Sequence, residues 1–417
     1  MYKKIQTPVV IIGAGPAGMG ASIFLSKAGI SHVILEKEVF PRDKICGDAC
    51  SGKTAYVLRK ANPEWMQEIF RDDTKFTPSQ GIIFTAPNGK SLSVPFGQPA
   101  NTEELAPGFT SPRLVFDHYL FQKADTRYAT IFQGVSVETM QCDAQKATVV
   151  FKQEQTTYEL EANLIIGADG DKGVSRKILM DASVATKSLC VGLRAYYKGV
   201  TGLNTDNFIE LLFLKDLLPG YFWIFPMPGG IANVGVGLLS EVIRRKKINL
   251  RELMLQIIAE NPVVKDRFTH ATLMGKIQGW GLPMGVEQLP VSGNRFMLTG
   301  DAASLIDPFS GEGIGNALYS GMLAAEAATE AIEKQQWDAA FLKQAYDKVL
   351  YQRLGEELAL STTLQYLCRF PWLFNFVVNK AAKSPSLSQT ISSMFTDLSV
   401  REQLRKPSFY LKILFNK

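Results

Sequence analysis

Gly13-Ala14-Gly15-Pro16-Ala17-Gly18 stands between an apolar run at 8–12 and a small-residue stretch at 19–28, and Glu36 closes a second apolar run at 32–35. Strand, glycine turn, helix, strand and acid, in that order, is an arrangement that grips the pyrophosphate and ribose of a dinucleotide. Gly13 permits the tight turn out of the strand. Gly15 has no side chain to hold a pyrophosphate off the backbone, and Gly18 lets the helix lie close on the sheet. The free N–H groups and positive dipole end of that helix then face the phosphates, with Pro16 and Ala17 in its first turn. Glu36, eighteen residues after Gly18, is placed to accept hydrogen bonds from a ribose, with Lys37 beside it.

Further groups carry chemistry. Gly300-Asp301 follows the apolar run 295–299, and Pro308-Phe309-Ser310-Gly311-Glu312-Gly313-Ile314 opens a long small-residue helix. An aspartate at a strand end beside the first motif suits a second polyol. A bare helix start at Gly311, Gly313 and Ile314, aimed at a flavin, would stabilise negative charge on the reduced ring. Asp169-Gly170, with Ser175 and Arg176 after it, ends another buried strand; it reads as a binding loop or simply as a strand-ending turn. Tyr221, Trp223 and Phe225 alternate before Pro226, so on a strand they share one face. By periodicity alone that face either walls an apolar channel or packs between sheet and helices. Cys46-Gly47 lies in a polar loop, where the thiol is either a proton donor or a small apolar wall. With Cys50 it makes Cys-x3-Cys, which also admits a redox pair. The three histidines have no ligand spacing with the cysteines, so no metal site is expected.

The elements that must position these residues follow from the chain. Its 417 residues suit two domains rather than one. After the first βαβ unit, a helix is expected over 52–60. Runs at 81–84 and 91–94 flank Asn88-Gly89, a hairpin signal that begins an antiparallel sheet. A helix over 114–124 follows Arg113. Strands are expected at 129–140, 148–151, 157–160 and 164–167, a strand-rich aromatic region at 191–237, an amphipathic helix at 248–260 and a helix at 311–334. The fold class is therefore α/β. A Rossmann-type cofactor domain (1–80, 110–180 and 290–335) is interleaved with an antiparallel-sheet substrate domain (81–109 and 181–289), and a helical region (336–417) follows. The net charge of +5 is too small to argue for nucleic acid. It sits in the tail, where 369–417 holds eight Lys/Arg against two Asp/Glu and leaves the remainder at −1. Five scattered cysteines fit a reducing cytoplasm, the polar start 1–7 is no leader, and no apolar run is long enough to span a bilayer.

The glycine fingerprint, Asp169-Gly170 with Ser175 and Arg176, and Gly300-Asp301 together resemble the three motifs of the flavoprotein hydroxylase (p-hydroxybenzoate hydroxylase-like) fold. That resemblance implies non-covalent FAD. Asp301 would meet the ribityl chain and pyrophosphate end, Arg113 would hold the pyrophosphate, and Val137 would offer backbone contacts to the adenine. Within the fold, Pro219-Gly220-Tyr221-Phe222-Trp223-Ile224-Phe225-Pro226 with Asn233-Val234-Gly235-Val236-Gly237 is similar to the Tyr-x-Trp-x-Phe-Pro signature of geranylgeranyl reductases. Lys44-Ile45-Cys46-Gly47 resembles their cysteine-glycine loop near the flavin. The resemblance covers about 9–326. It implies saturation of carbon–carbon double bonds in a prenyl lipid, pyrophosphate or quinone tail, with Cys46, Tyr221 and Trp223 at the reaction and Phe225 and Pro226 lining the substrate. A halogenase of this fold would be expected to show Trp-x-Trp-x-Ile-Pro, from which Tyr221 and Phe225 depart; a hydroxylase shares the FAD motifs and stays open. A lipid carrier with structural FAD is the third reading, and the intact Cys46 loop argues against it.

With no second glycine fingerprint, the electron donor is expected to dock transiently, as NAD(P)H or a ferredoxin. Aromatics mixed with Lys and Arg at 370–378 and 404–415 suit an anionic membrane surface, while a helical cap with a solvated basic face is the preferred reading.

Overall fold

The computed structural model describes residues 3–96, 108–181 and 188–384. An eight-stranded sheet forms the first layer. Its centre is Lys3–Ile12, flanked in parallel by His32–Glu36 and Thr156–Gly167; Ala129–Gln133 lies beyond the former and Phe296–Leu298 beyond the latter. Val9 to Ile12 and Leu164 to Ile166 are buried. Both read as unbroken apolar runs because their residues are buried on both faces of the sheet. Thr156–Gly167 changes character along its length: its first half alternates and pairs antiparallel with Ala147–Gln153, and its apolar second half enters the parallel core.

A second sheet of seven strands runs Thr272–Pro283, Leu189–Lys198, Ile231–Leu239, Tyr221–Met227, Ile209–Leu212, Gly81–Thr85, Ser91–Pro95. All neighbours are antiparallel except Ile209–Leu212 with Gly81–Thr85. A ribbon of Ala49–Cys50, Gly108–Thr110 and Thr77–Ser79 lies alongside. The mixed α/β architecture is the one the motifs imply, with helices Val349–Leu367 and Pro371–Ala381 closing the described chain.

The expected hairpin is present, with Gly89 at φ +81° in its turn. The amphipathic helix is Leu250–Glu260, capped by the Asn249 side chain, which accepts from Glu252 N at 3.3 Å. Arg113 is the first residue of its helix, Arg113–Gln122, rather than its predecessor. Glycine-rich 311–313 stays outside the long helix, which begins at Ile314. Thr272–Pro283 and Pro63–Arg71 are among the elements that escape the sequence pattern. Thr272–Pro283 is an edge strand, largely exposed and holding three glycines, so no alternation marks it. Pro63–Arg71 is only nine residues long and fully buries only Met66 and Ile69, with Trp65 and Phe70 partly buried beside them. The basic stretch 404–415 lies outside the described residues.

The fingerprint helix Pro16–Lys27 crosses Ile314–Lys334 through small residues. A Cβ on Gly321 would sit 2.1 Å from the Ala17 carbonyl oxygen, so the two backbones touch.

Candidate functional site

One continuous cavity of about 2020 Å³ joins the two sheets. At one end it reaches the carboxyl edge of the parallel sheet: Gly13, Gly15, Pro16 and Ala17, then Glu36 and Lys37, then Val137 on the strand Val135–Cys142. Midway it is bounded by Cys46, Gly47, Arg113, Asp169, Asp301, Gly311, Gly313 and Ile314. Tyr221, Trp223 and Phe225 form its next wall. Beyond it the described lining residues from 79–109, 209–211 and 360–378 are uncharged, while Lys53, Arg353 and Glu357 also line the cavity. Four expected site residues stand off this space. Gly18 faces the strand behind it, and Gly300 is packed between Ala17 and Ala317. The Pro308 carbonyl accepts from Gln365 Nε2 at 2.6 Å. Pro226 falls on the opposite face of its strand from Trp223 and Phe225, and its carbonyl accepts from the Thr110 hydroxyl.

The dinucleotide end is built to hold an anion. Gly13 has φ +100°, and helix Pro16–Lys27 has no side-chain cap at Gly15, leaving its first N–H groups unclaimed by side chains. Glu36 is buried; Ala14 N donates to its Oε2 at 2.6 Å and Glu38 N to its Oε1 at 2.9 Å. Each oxygen keeps a lone pair for a ribose hydroxyl. Arg113 is buried and donates to Asp117 through Nε (2.6 Å) and Nη2 (2.7 Å), and Arg42 also reaches Asp117. Burial opposes ionisation of Asp117, yet the two guanidinium groups hold its carboxyl below the usual carboxylate range. One carboxylate between two cations leaves a net positive charge here. The nearest atom to a Cβ built on Gly15 is Arg42 Nη2, 3.7 Å away, and Lys44 Nζ donates to Asp301 Oδ2 at 2.9 Å. Asp169 accepts from Ser175 N at 2.8 Å through Oδ2, while its buried Oδ1 has no partner; burial raises its pKa. An uncapped helix start, a bare glycine, cations beside it and an orphaned carboxylate oxygen fit the pyrophosphate and polyol of FAD.

Arg42 is absent from the sequence-derived site. Its only signal was a lone arginine in the loop after the acid-ended strand. Replacing Arg42 with methionine is expected to weaken FAD binding about tenfold, by the loss of one charge-assisted contact of about 1.5 kcal/mol, and to flatten its salt dependence. Flavin fluorescence titration at two ionic strengths measures both.

The middle of the cavity rests on a buried polar network. Trp223 Nε1 donates to Asn233 Oδ1 at 2.9 Å. Asn233 Nδ2 lies 2.9 Å from both the Cys46 carbonyl and Asp48 Oδ2. The Tyr196 hydroxyl donates to the same Asp48 oxygen. Asp48 is fully buried in the left-handed region at φ +65°, and its Oδ1 has no partner. Burial pushes its carboxyl up to about 6, against the pull of Tyr196, Asn233, Arg194 and Arg113. These contacts pin the Cys46 loop to the strand that carries Trp223. Burial also raises the Cys46 thiol, with Arg113 opposing, so the thiol keeps its proton at neutral pH. Cys46 and Cys50 are both free thiols. The Tyr221 hydroxyl donates to the Ser310 carbonyl, tying the aromatic strand to the loop before Ile314–Lys334. Asp48, Asn233 and Tyr196 were invisible as a group because three separate elements, a loop and two strands, bring them together. Among the described residues, no three His, Cys, Asp or Glu side chains are grouped to hold a metal, and no helix is long and apolar enough to cross a membrane.

This fold and cradle define an FAD-binding oxidoreductase. The sequence profile of the FAD binding domain family matches residues 6–335, and the chain belongs to that family. Over 401 residues it is 29% identical to the digeranylgeranylglycerophospholipid reductase of Methanocaldococcus jannaschii, covering 91% of this chain and 96% of that one. It is 26% identical over 385 residues to the menaquinone reductase of Mycobacterium tuberculosis, covering 87% and 84%. The crystal structure of a geranylgeranyl bacteriochlorophyll reductase-like protein from Thermoplasma acidophilum superposes with a TM-score of 0.79 at 20% identity, over 99% and 98% of the two chains. At that identity the likeness concerns the fold alone.

Proposed function

We propose that this protein is an FAD-dependent reductase that saturates carbon–carbon double bonds in the prenyl chain of a lipid or quinone. The observation that carries the reading is the continuity of one cavity, from the FAD cradle past Tyr221, Trp223 and Phe225 to the uncharged described lining residues of 79–109, 209–211 and 360–378. A prenyl chain has no polar handle, so an uncharged lining is what would bind and align it. The names of the relatives above, a prenyl phospholipid reductase and a quinone reductase, support the same class.

When bound, FAD in its reduced form supplies the hydride that such a saturation needs. The chain's own residues do the rest. The aromatic wall excludes water and holds the alkene flat against the cofactor end. A proton must reach the second carbon, and the Cys46 thiol, protonated and on the cavity surface, is the group that holds one there. Tyr221 also keeps its proton, but spends it on Ser310; its part is to fix the strand. In this reading residues 1–80, 110–180 and 290–335 serve the cofactor, and 81–109 with 181–289 serve the substrate. The electron donor, NAD(P)H or a ferredoxin, docks transiently.

The test is mass spectrometry of a geranylgeranyl lipid after anaerobic incubation with chemically reduced protein, alongside an aerobic sample. Hydrogen pairs added without oxygen are expected. Oxygen added only in the aerobic sample would instead identify a monooxygenase of the same fold, and no change in either would overturn the prenyl reading.

A further inference from the structure

Helices Val349–Leu367 and Pro371–Ala381 meet in a short turn with an unusual surface. Trp372 is 69% exposed, Tyr366 56% and Phe370 40%. Among the described residues, these are the aromatic members of the exposed large hydrophobic set; all the others are aliphatic and lie elsewhere in the chain. Tyr366 and Phe370 contact edge to face at 5.8 Å, and the Arg369 guanidinium lies 5.6 Å over the Tyr366 ring. A clustered apolar patch on a water-soluble surface marks a docking site. Tryptophan and tyrosine, with apolar bodies and polar tips, suit the boundary between lipid and water.

Charge and position specify the occupant. From 358 to 384 the chain carries Arg369, Lys380 and Lys383 and no acid. On the inner side of the same two helices, Leu364, Leu367, Leu373 and Val377 belong to the uncharged lining of the cavity. The outward aromatics and the inward wall are thus one helical turn apart. We infer that the 366–372 turn docks the protein on an anionic lipid surface, beside the uncharged lining that receives an apolar chain from it. The chain's own 385–417 has the charge balance of the patch's surroundings. It holds five Lys/Arg against two Asp/Glu, the same sign of charge, and would add to lipid attraction.

The experiment is flotation of the full-length FAD-loaded protein with vesicles of phosphatidylcholine alone or mixed with phosphatidylglycerol. Quenching of tryptophan fluorescence by bromine-labelled lipid is measured in parallel. Flotation with the anionic vesicles, weakened by salt, is expected. Combined Tyr366→Ser, Phe370→Ser and Trp372→Ser should reduce it at least tenfold with unchanged FAD content, and the single Trp372→Ser variant should lose the quenching signal. Trp372→Phe should keep flotation. Equal flotation of wild type and triple variant overturns the inference. So does binding that disappears on truncation after Ser384 while Trp372 is never quenched, and so does a dimer that the triple variant dissolves with no vesicle binding by either form. Lipid binding is read without turnover, so its failure is distinct from failure of the prenyl reading.

Discussion

Replacing Gly18 with alanine is expected to yield protein that purifies without FAD. A Cβ at this position would lie 1.9 Å from the Gly13 carbonyl oxygen and 3.2 Å from Ile11 Cγ2. Neither neighbour can yield: one is backbone in the glycine turn, the other a fully buried side chain in the central strand. The helix must back away from the sheet, which costs about 1–3 kcal/mol in packing alone. It also carries the uncapped N–H groups of Gly15 and Ala17 out of line with the phosphates. A shift of about 1 Å in such a cradle is worth about a hundredfold in function. The ratio of flavin to protein absorbance reports the loss, with far-ultraviolet circular dichroism as the folding control. Full retention of FAD would refute the close-approach argument.

A second large effect is expected from Asp48→Asn, and it has a pH signature. The ordinary aspartate value is 3.8, and burial raises Asp48 to about 6. Between those values the folded state holds the proton that the unfolded chain has released, so stability falls as pH rises; above about 6 the penalty is complete. The difference of about two units corresponds to about 3 kcal/mol. Asparagine can present its oxygen to Tyr196 and Asn233 where Oδ2 stood, and it does not ionise. The stability of the variant relative to wild type should therefore rise by about 3 kcal/mol between pH 4 and pH 8. Denaturant midpoints across that range, compared pairwise, remove the common titration of the other acids. A constant difference would mean that Asp48 is already ionised at low pH.

The chain wrote its cofactor end in short-range patterns. Gly13, Gly15, Gly18 and Glu36 lie within one βαβ unit, and each motif is a turn whose geometry is local. Tyr221, Trp223 and Phe225 were legible for the same reason, since alternation places them on one face whatever surrounds the strand. The supporting network was not legible. Asn233 stands in an apolar strand as a single polar residue, and a polar residue there reads as facing water until Trp223 and the Cys46 loop are seen against it. The pairing of Arg113 with Asp117 illustrates a second limit. Helical spacing allows it, but only the fold shows that the arginine expected to meet a phosphate also has a permanent carboxylate partner and that Arg42 restores the positive charge.

The contact of Gly321 with Ala17 has a consequence beyond packing. The helix beginning at Pro16 and the helix beginning at Ile314 both open on the cavity, one at its nucleotide end and one at its middle. Because their backbones touch, they act as the two jaws of a caliper with a fixed hinge, set to one length of ligand. The separation of the two helix starts is thus set by residues lacking bulk: Gly321 against Ala17, and Gly20, where a Cβ would lie 2.7 Å from the Leu318 carbonyl oxygen.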